Sequence, residues 1–409
     1  MTRKLTWLTV GGAPRSGTTA LGDALNKSSH IALFHEWQSA LFFEAVELLF
    51  ADEKRHRKFA SFPDYERCMP IKERDVAQVV SAIFSVVLKK NASVVGTKFP
   101  GSQDWPRPTI PDCITEKHIH LSRNPFDCVL SAVKKNAVEG TSQSLHAAEV
   151  ILCNWLGAWN HAVEQHQKDN FFHLFYECLG SDNIVMAQDM AVFLDTPCDF
   201  DLAGVVAQVG LYAAVLDQYN EAGLAQMIPF IERLFPYDQW PALAKTRMNE
   251  KKLCGYVLSA GETIHLTSDG NGWKYLRHGF YLPERDGAWT AGKVAMVLFT
   301  PERHLCGAVF VTLDVVWSMD RVSPPPVVSI ALNNQSLAVM PFILGPQNGL
   351  GKKYRLCCKN FDCVDGESIA LTFCIDRPQN PMQLGLSNDD RNLGVMIRSI
   401  RIDCDGVEP

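Results

Sequence analysis

An apolar run, "LTWLTV" (Leu5–Val10), passes directly into "GGAPRSGTT" and then into "ALGDALNKS". A short strand that ends in a glycine-rich turn and restarts as a helix fixes three things at once: a buried strand, a tight loop at its end and a helix start behind that loop. Leu21 and Leu25 recur at helical spacing, with Thr18 and Thr19 in the first turn. Gly12 and Gly17 have four residues between them and are followed by Thr18 and Thr19, the glycine spacing of a phosphate-binding loop. Successive backbone N–H groups of such a loop point at an anion, and the helix N-terminus adds positive potential. The ATP-binding form also needs a lysine after the second glycine. Thr18 occupies that position, and the basic residue is Arg15, inside the loop. No strand ends in an aspartate placed to organise magnesium; the two later candidates end in Lys98 and Arg123. Cations in place of a magnesium ligand suit a strongly anionic ligand held without a metal.

The same strand–helix alternation continues to about residue 200. "SVVGTK" (Ser93–Lys98), "KHIHLSRNP" (Lys117–Pro125) and "FFHLFYECL" (Phe171–Leu179) read as strands. Helical patterns fall near 38–60, 75–90, 126–137, from 145 through "VEQHQ", and before "MAVFLD". Strands separated by helices predict a parallel sheet flanked by helices, an α/β fold. Residues 202–250 read as helical. From 254 onward the pattern changes to short strands, among them "KVAMVLFT", "AVFVTLDVVW", "SIALTFCID" and "GVMIRSIRI", separated by Gly, Pro, Asn and Asp turns. That pattern predicts an all-β sandwich of jelly-roll type. The expected organisation is therefore 1–200, an α/β domain of the phosphate-loop type; 201–253, a helical extension; and 254–409, an accessory β-sandwich.

A net charge of −6 argues against a general nucleic-acid or acidic-membrane binder, so any anion must be held by a local site. No apolar run reaches the roughly 18–20 residues of a membrane span. The N-terminal apolar run is too short for a signal peptide and lacks a small-residue cleavage site. The 13 cysteines are odd in number and show no zinc-site spacing, which reads as reduced thiols in a cytoplasmic protein. Oligomeric state is not written in the sequence.

"APRSGTT" resembles the 5′-phosphosulfate loop of sulfotransferases that use 3′-phosphoadenosine 5′-phosphosulfate, and "LSRNPFDCVLSAVKK" is similar to their 3′-phosphate motif, in which an arginine at a strand end precedes a serine by eight positions, here Arg123 and Ser131. "VVGTKFP" resembles the family's Gly-x-Lys-x-Pro strand end. "FYECL" resembles its Tyr-Glu-Asp-Leu segment, with Cys178 in place of the aspartate, and "AVFLD" its Phe-Leu-Gly helix end, with Asp195 in place of the glycine. The resemblance covers about residues 5–200. It implies that Pro14, Arg15, Ser16, Gly17, Thr18 and Thr19 cradle the donor, with Arg123 and Ser131 on its 3′-phosphate and Lys98 stabilising transferred charge.

The arginine in "PRSGTT" looks like tyrosylprotein and many bacterial sulfotransferases. In the tyrosylprotein branch the base is a glutamate 21 positions later, here Glu36; His35 stands beside it. The branch with a histidine base makes His118 and His120 lesser candidates. Trp155 and Trp159, four apart on one helix, read as core packing. The segment Tyr275–Phe299 resembles a β-sandwich attached to bacterial polysaccharide glycosyltransferases, with Trp289 and Tyr281 as a conceivable sugar platform against a core role. Together these readings imply a bacterial-type enzyme of metal-independent sulfuryl transfer acting on a hydroxyl-bearing glycan. The alternatives are a protein-tyrosine or small-molecule acceptor, or a glycan-binding scaffold whose transferase domain is degenerate.

Overall fold

The structure is a computed structural model. It describes residues 5–35, 80, 92–100, 114–138, 145–165, 168–181, 183–205, 212–240, 242, 257–259, 261–318, 326–333, 335–341, 352–363 and 368–404. Glu36 and, Val80 apart, the helices expected near 38–60 and 75–90 lie outside the described residues.

By its contacts the chain divides into two units. The first comprises Met1–Asn124, His166–Gly210 and Asp238–Lys251; the second comprises Pro125–Gln165, Leu211–Tyr237 and Lys252–Pro409. This grouping places two helices from the α/β part of the sequence with the β-rich region.

The first unit is built on five parallel strands: β1 (Thr6–Gly12), β2 (Ile31–His35), β3 (Val94–Lys98), β4 (Thr115–Ser122) and β5 (Phe171–Phe175), in the order β2-β3-β1-β4-β5. Every residue of β1 and β3 is buried, the continuous burial expected of central parallel strands. Helix α1 (Thr18–Leu25) contributes Leu21 and Leu25 to a core with Leu8, Val10, Ile119, Leu121 and Leu174. Met186, Met190 and Leu194 of a later helix, Asn183–Leu194, join the same core. From β1 the chain moves to one side for β2 and β3, then to the other for β4 and β5. The order therefore reverses between β1 and β4, and a ligand of an open α/β sheet binds outside the carboxyl ends at such a reversal.

The second unit contains α2 (Pro125–Val138), α3 (Leu145–Gln165) and two mainly antiparallel sheets. One sheet is ordered β13-β12-β15-β10-β6, with β8 on β10; the other is β14-β11-β16-β7, with β9 on β16. These strands are β6 (Val257–Leu258), β7 (Thr263–His265), β8 (Leu276–His278), β9 (Ala288–Ala291), β10 (Val294–Pro301), β11 (Cys306–Ser318), β12 (Val327–Leu332), β13 (Gln335–Pro341), β14 (Lys352–Asp362), β15 (Ile369–Ile375) and β16 (Leu393–Cys404). One pair, β6 with β10, is parallel. Val297, Ile330 and Phe373 from one sheet pack with Val311, Leu313, Ile397 and Ile400 from the other in a single core, which makes the region a sandwich.

Candidate active site

The glycines that set the loop spacing are each fixed by conformation and by space. Gly12 has φ 140° and Gly17 has φ 97°, where L side chains are strained. A Cβ at Gly12 would lie 2.2 Å from the Leu121 carbonyl oxygen, and one at Gly17 would lie 2.7 Å from the Tyr176 ring. Arg15 takes φ 71° without being glycine, a left-handed conformation that costs on the order of 1 kcal/mol and recurs at functional loops. Its side chain is exposed beside Pro14.

Ser16 is fully buried, and both its Oγ and its N–H donate to the Ala13 carbonyl, at 2.7 and 3.1 Å. Its amide therefore closes the loop instead of facing a ligand. Gly17, the N-cap, supplies no side-chain cap. The amides at the start of α1, from Gly17, Thr18 and Thr19, have no acceptor within the helix, an arrangement suited to an anion.

Two cations stand at the carboxyl ends of β3 and β4, the strands on either side of β1. Lys98 is the last residue of β3, aligned with Val10 of β1 and His35 of β2. It is only 1% exposed, an unusual state for a lysine, which is seldom fully buried unless paired. Arg123 follows β4, and its guanidinium carbon lies 4.5 Å from the Tyr176 ring centroid. Its Nη1 reaches 3.5 Å from the Arg15 carbonyl oxygen, too long for a strong hydrogen bond, so the aromatic face is the firmer support.

Tyr176 and Glu177 appeared in the sequence only as part of a motif. In the fold they brace the end of β4. The Tyr176 N–H donates to the Ser122 carbonyl, and the Asn124 N–H donates to Glu177 Oε1, both at 2.8 Å. Ser122 Oγ is also bonded to His173 Nε2 at 2.8 Å. Ser131 lies on α2, in the second unit.

The lesser base candidates sit away from the edge. His118 Nε2 is bonded to Glu116 at 2.8 Å. His120 is buried, stacked on Phe171 with ring centroids 5.9 Å apart. Desolvation, followed by the neighbouring His118, lowers its pKa to about 3. The imidazole is therefore neutral in the folded chain, whereas the unfolded chain takes up a proton below about pH 6.5. Stability should then fall as pH drops from about 6.5 toward 3. Urea unfolding at about pH 7 and about pH 4.5 is expected to show roughly 2–3 kcal/mol of this loss in the wild type and much less of it in His120→Gln. An equal loss in both proteins would assign the acid sensitivity elsewhere.

In the second unit, Trp155 and Trp159 are buried and stacked at 5.7 Å, as core packing requires. Tyr281 and Trp289, weighed from the sequence as a sugar platform or as core, both pack within the second unit. Tyr281 is 6% exposed, its hydroxyl accepts the Asn392 N–H at 3.1 Å and its ring carries Arg391. Trp289 packs partly buried against the cluster of Tyr281 and Leu393. Among the described residues, His146, Asp389 and Asp390 have ligand atoms close enough to share a cation. Arg391 already donates to both oxygens of Asp389, and His146 is bonded to Glu149 and lies 3.2 Å from Asp390, so these groups already have partners within the protein. Among the described residues, ten cysteines are free, and no helix is long and apolar enough to cross a membrane.

Residues 8–201 match the model of the sulfotransferase family. The chain is similar to a solved sulfotransferase from Alicyclobacillus acidocaldarius (15% identity, 56% of this chain and 95% of that one, TM-score 0.33). It is also similar to a mouse sulfotransferase solved with PAP (12% identity, 60% and 89% coverage, TM-score 0.33). A family 35 carbohydrate binding module from Clostridium thermocellum aligns at 6% identity over 29% of this chain and 78% of that one, with a TM-score of 0.20. No curated protein matches the chain.

Proposed function

We propose that the region matching the sulfotransferase family, residues 8–201, moves a sulfuryl group from 3′-phosphoadenosine 5′-phosphosulfate to a hydroxyl of a carbohydrate. One observation carries the reading: a lysine-free phosphate loop, a buried Lys98 and Arg123 share one edge of one parallel sheet, at its point of strand-order reversal. A donor with a 5′-phosphosulfate and a 3′-phosphate offers anionic groups to match. Thr18 in the lysine position and Lys98 and Arg123 at the strand ends disfavour a magnesium nucleotide.

In this reading the amides of Gly17 to Thr19 and the Arg15 guanidinium stabilise the leaving 5′-phosphate and the sulfuryl oxygens. Lys98 neutralises charge on the bridging oxygen as it parts from sulfur. Arg123, with Ser131 eight positions on, binds the 3′-phosphate. Glu36 or His35 accepts the acceptor's proton. Transfer proceeds in line, so the catalytic work is positioning and charge stabilisation. The carbohydrate acceptor is favoured by the resemblance of Tyr275–Phe299 to sandwiches attached to glycan-building enzymes.

A thermal-shift titration tests the donor. 3′,5′-ADP should stabilise the protein, whereas ADP and ATP with magnesium should do so weakly or not at all; the reverse order would replace this reading with a nucleotide kinase. A panel of a polysaccharide, a tyrosyl peptide and a simple phenol, assayed for release of 3′,5′-ADP from the donor, tests the acceptor. Turnover with the peptide or phenol alone would move the acceptor away from carbohydrate. Donor binding with no turnover on any acceptor would favour a degenerate transferase.

A further inference from the structure

Helix α1 runs past the ends of β2 and β3 one turn after the loop. At that crossing, His35 Nε2 lies 3.2 Å from Asp23 Oδ1. His35 closes β2 in register with Lys98, which closes β3. Gly22 sits between them: a Cβ there would lie 3.3 Å from Lys98 Cβ and Cγ and 3.7 Å from His35 Nε2. Glycine is a poorer helix residue than alanine, and here it lets the Lys98 and His35 side chains lie against the helix. Thr18 and Gly22 are four apart and share a helix face, so this crossing lies about one 5.4 Å turn from the amides of the loop.

We propose that Asp23 and His35 form a dyad in which Asp23 is a positioning residue and His35 Nδ1 is the general base of transfer. The inference rests on the sulfuryl-transfer reading. With a carboxylate oxygen of Asp23 3.2 Å from Nε2, the proton is favoured on that nitrogen and the Nδ1 lone pair is left for the substrate. As the acceptor oxygen bonds to sulfur, its proton passes to Nδ1. The bond from sulfur to the bridging oxygen breaks, and its electron pair leaves with 3′,5′-ADP. The Asp23 carboxylate then stabilises the imidazolium, which returns its proton to solvent from a side chain that is 35% exposed.

The test measures three quantities in wild type, Asp23→Asn, His35→Gln and Glu36→Gln. They are 3′,5′-ADP affinity by thermal shift, release of 3′,5′-ADP from the donor with water and with the acceptor panel, and the imidazole tautomer by nitrogen-15 NMR. Donor affinity should stay unchanged in Asp23→Asn and His35→Gln, which also shows that both fold. The turnover number should fall about 10²-fold in His35→Gln and about 10-fold in Asp23→Asn. The Nε2–H tautomer of His35 should dominate in wild type and mix with the other in Asp23→Asn. Wild-type turnover in both dyad variants, a loss seen in Glu36→Gln and in neither of them, or a wild type that binds 3′,5′-ADP yet turns over no donor would each overturn the dyad. A wild type that fails to bind 3′,5′-ADP would instead overturn the underlying reading.

Discussion

Arg123→Ala is expected to lose nearly all stabilisation by 3′,5′-ADP. At about 100 times the dissociation constant, a ligand adds roughly 2.7 kcal/mol of apparent stability. A guanidinium fork on a phosphate makes two charge-assisted bonds, each worth about 1.5–3 kcal/mol, so its removal should weaken binding by about 100-fold or more. At the same ligand concentration the stabilisation would fall to about 0.4 kcal/mol or less. The expectation rests on a side chain already held in place: Arg123 lies on the Tyr176 ring, and Tyr176 packs against Gly17 at the start of α1. The ligand therefore spends little on ordering the arginine. Arg123→Lys should fall between the two, because it keeps the charge and loses the fork. Leucine at Tyr176 should also weaken binding, since it removes the face that supports the guanidinium. An unchanged thermal shift in Arg123→Ala would remove this residue from the donor site.

The parts of the fold written locally were legible, and the parts that depend on distant pairing were not. The loop could be read because Gly12 and Gly17 answer to a backbone geometry that only glycine meets easily. Strand β2 was missed. Its "IALFH" is short, and its partner among the described residues, β3, enters the chain 63 positions later. Strand β14 was not read as a strand. Its alternation is nonetheless clear in the fold, with Leu356, Cys358 and Phe361 inward and Arg355, Cys357 and Lys359 outward. Asn360, in the left-handed region, breaks that alternation where the pairing with β11 shifts register. The site followed the same rule. Arg15 was visible as the cation inside the loop, and Lys98 and Arg123 as strand-end cations. Asp23 was not, because it meets His35 through a helix–strand crossing. Tyr176 and Glu177 were visible as letters of a motif, but their bracing of β4 appears only when β5 lies beside it. The internal bond of the Ser16 amide to the Ala13 carbonyl has no sequence signature and appears only in the fold.

The second large effect is expected in the second unit, where α3 meets β8. Arg277 donates to Glu164 at 2.8 Å, with the two side chains only 7% and 11% exposed. Asn160 adds bonds to the carbonyls of Trp273 and Leu276, and Gly157 lies so close that a Cβ would come 1.7 Å from the Arg277 carbonyl oxygen. Glu164→Ala should therefore destabilise the protein by about 3–5 kcal/mol, because it strands a buried guanidinium instead of merely deleting an attraction. Replacing both partners with apolar residues, Glu164→Leu with Arg277→Met, should recover most of that loss, since a well-packed apolar pair avoids the desolvation penalty. The contrast is the informative result. If the single and double variants lose the same stability in urea, packing dominates and the charges contribute little. If the double variant recovers, the ion pair is a device that specifies how α3 docks on the sandwich. A helix carried in the sequence with the α/β strands would then be held in register by a residue of the β-rich region, and the boundary drawn at 254 would separate two partners that fold together.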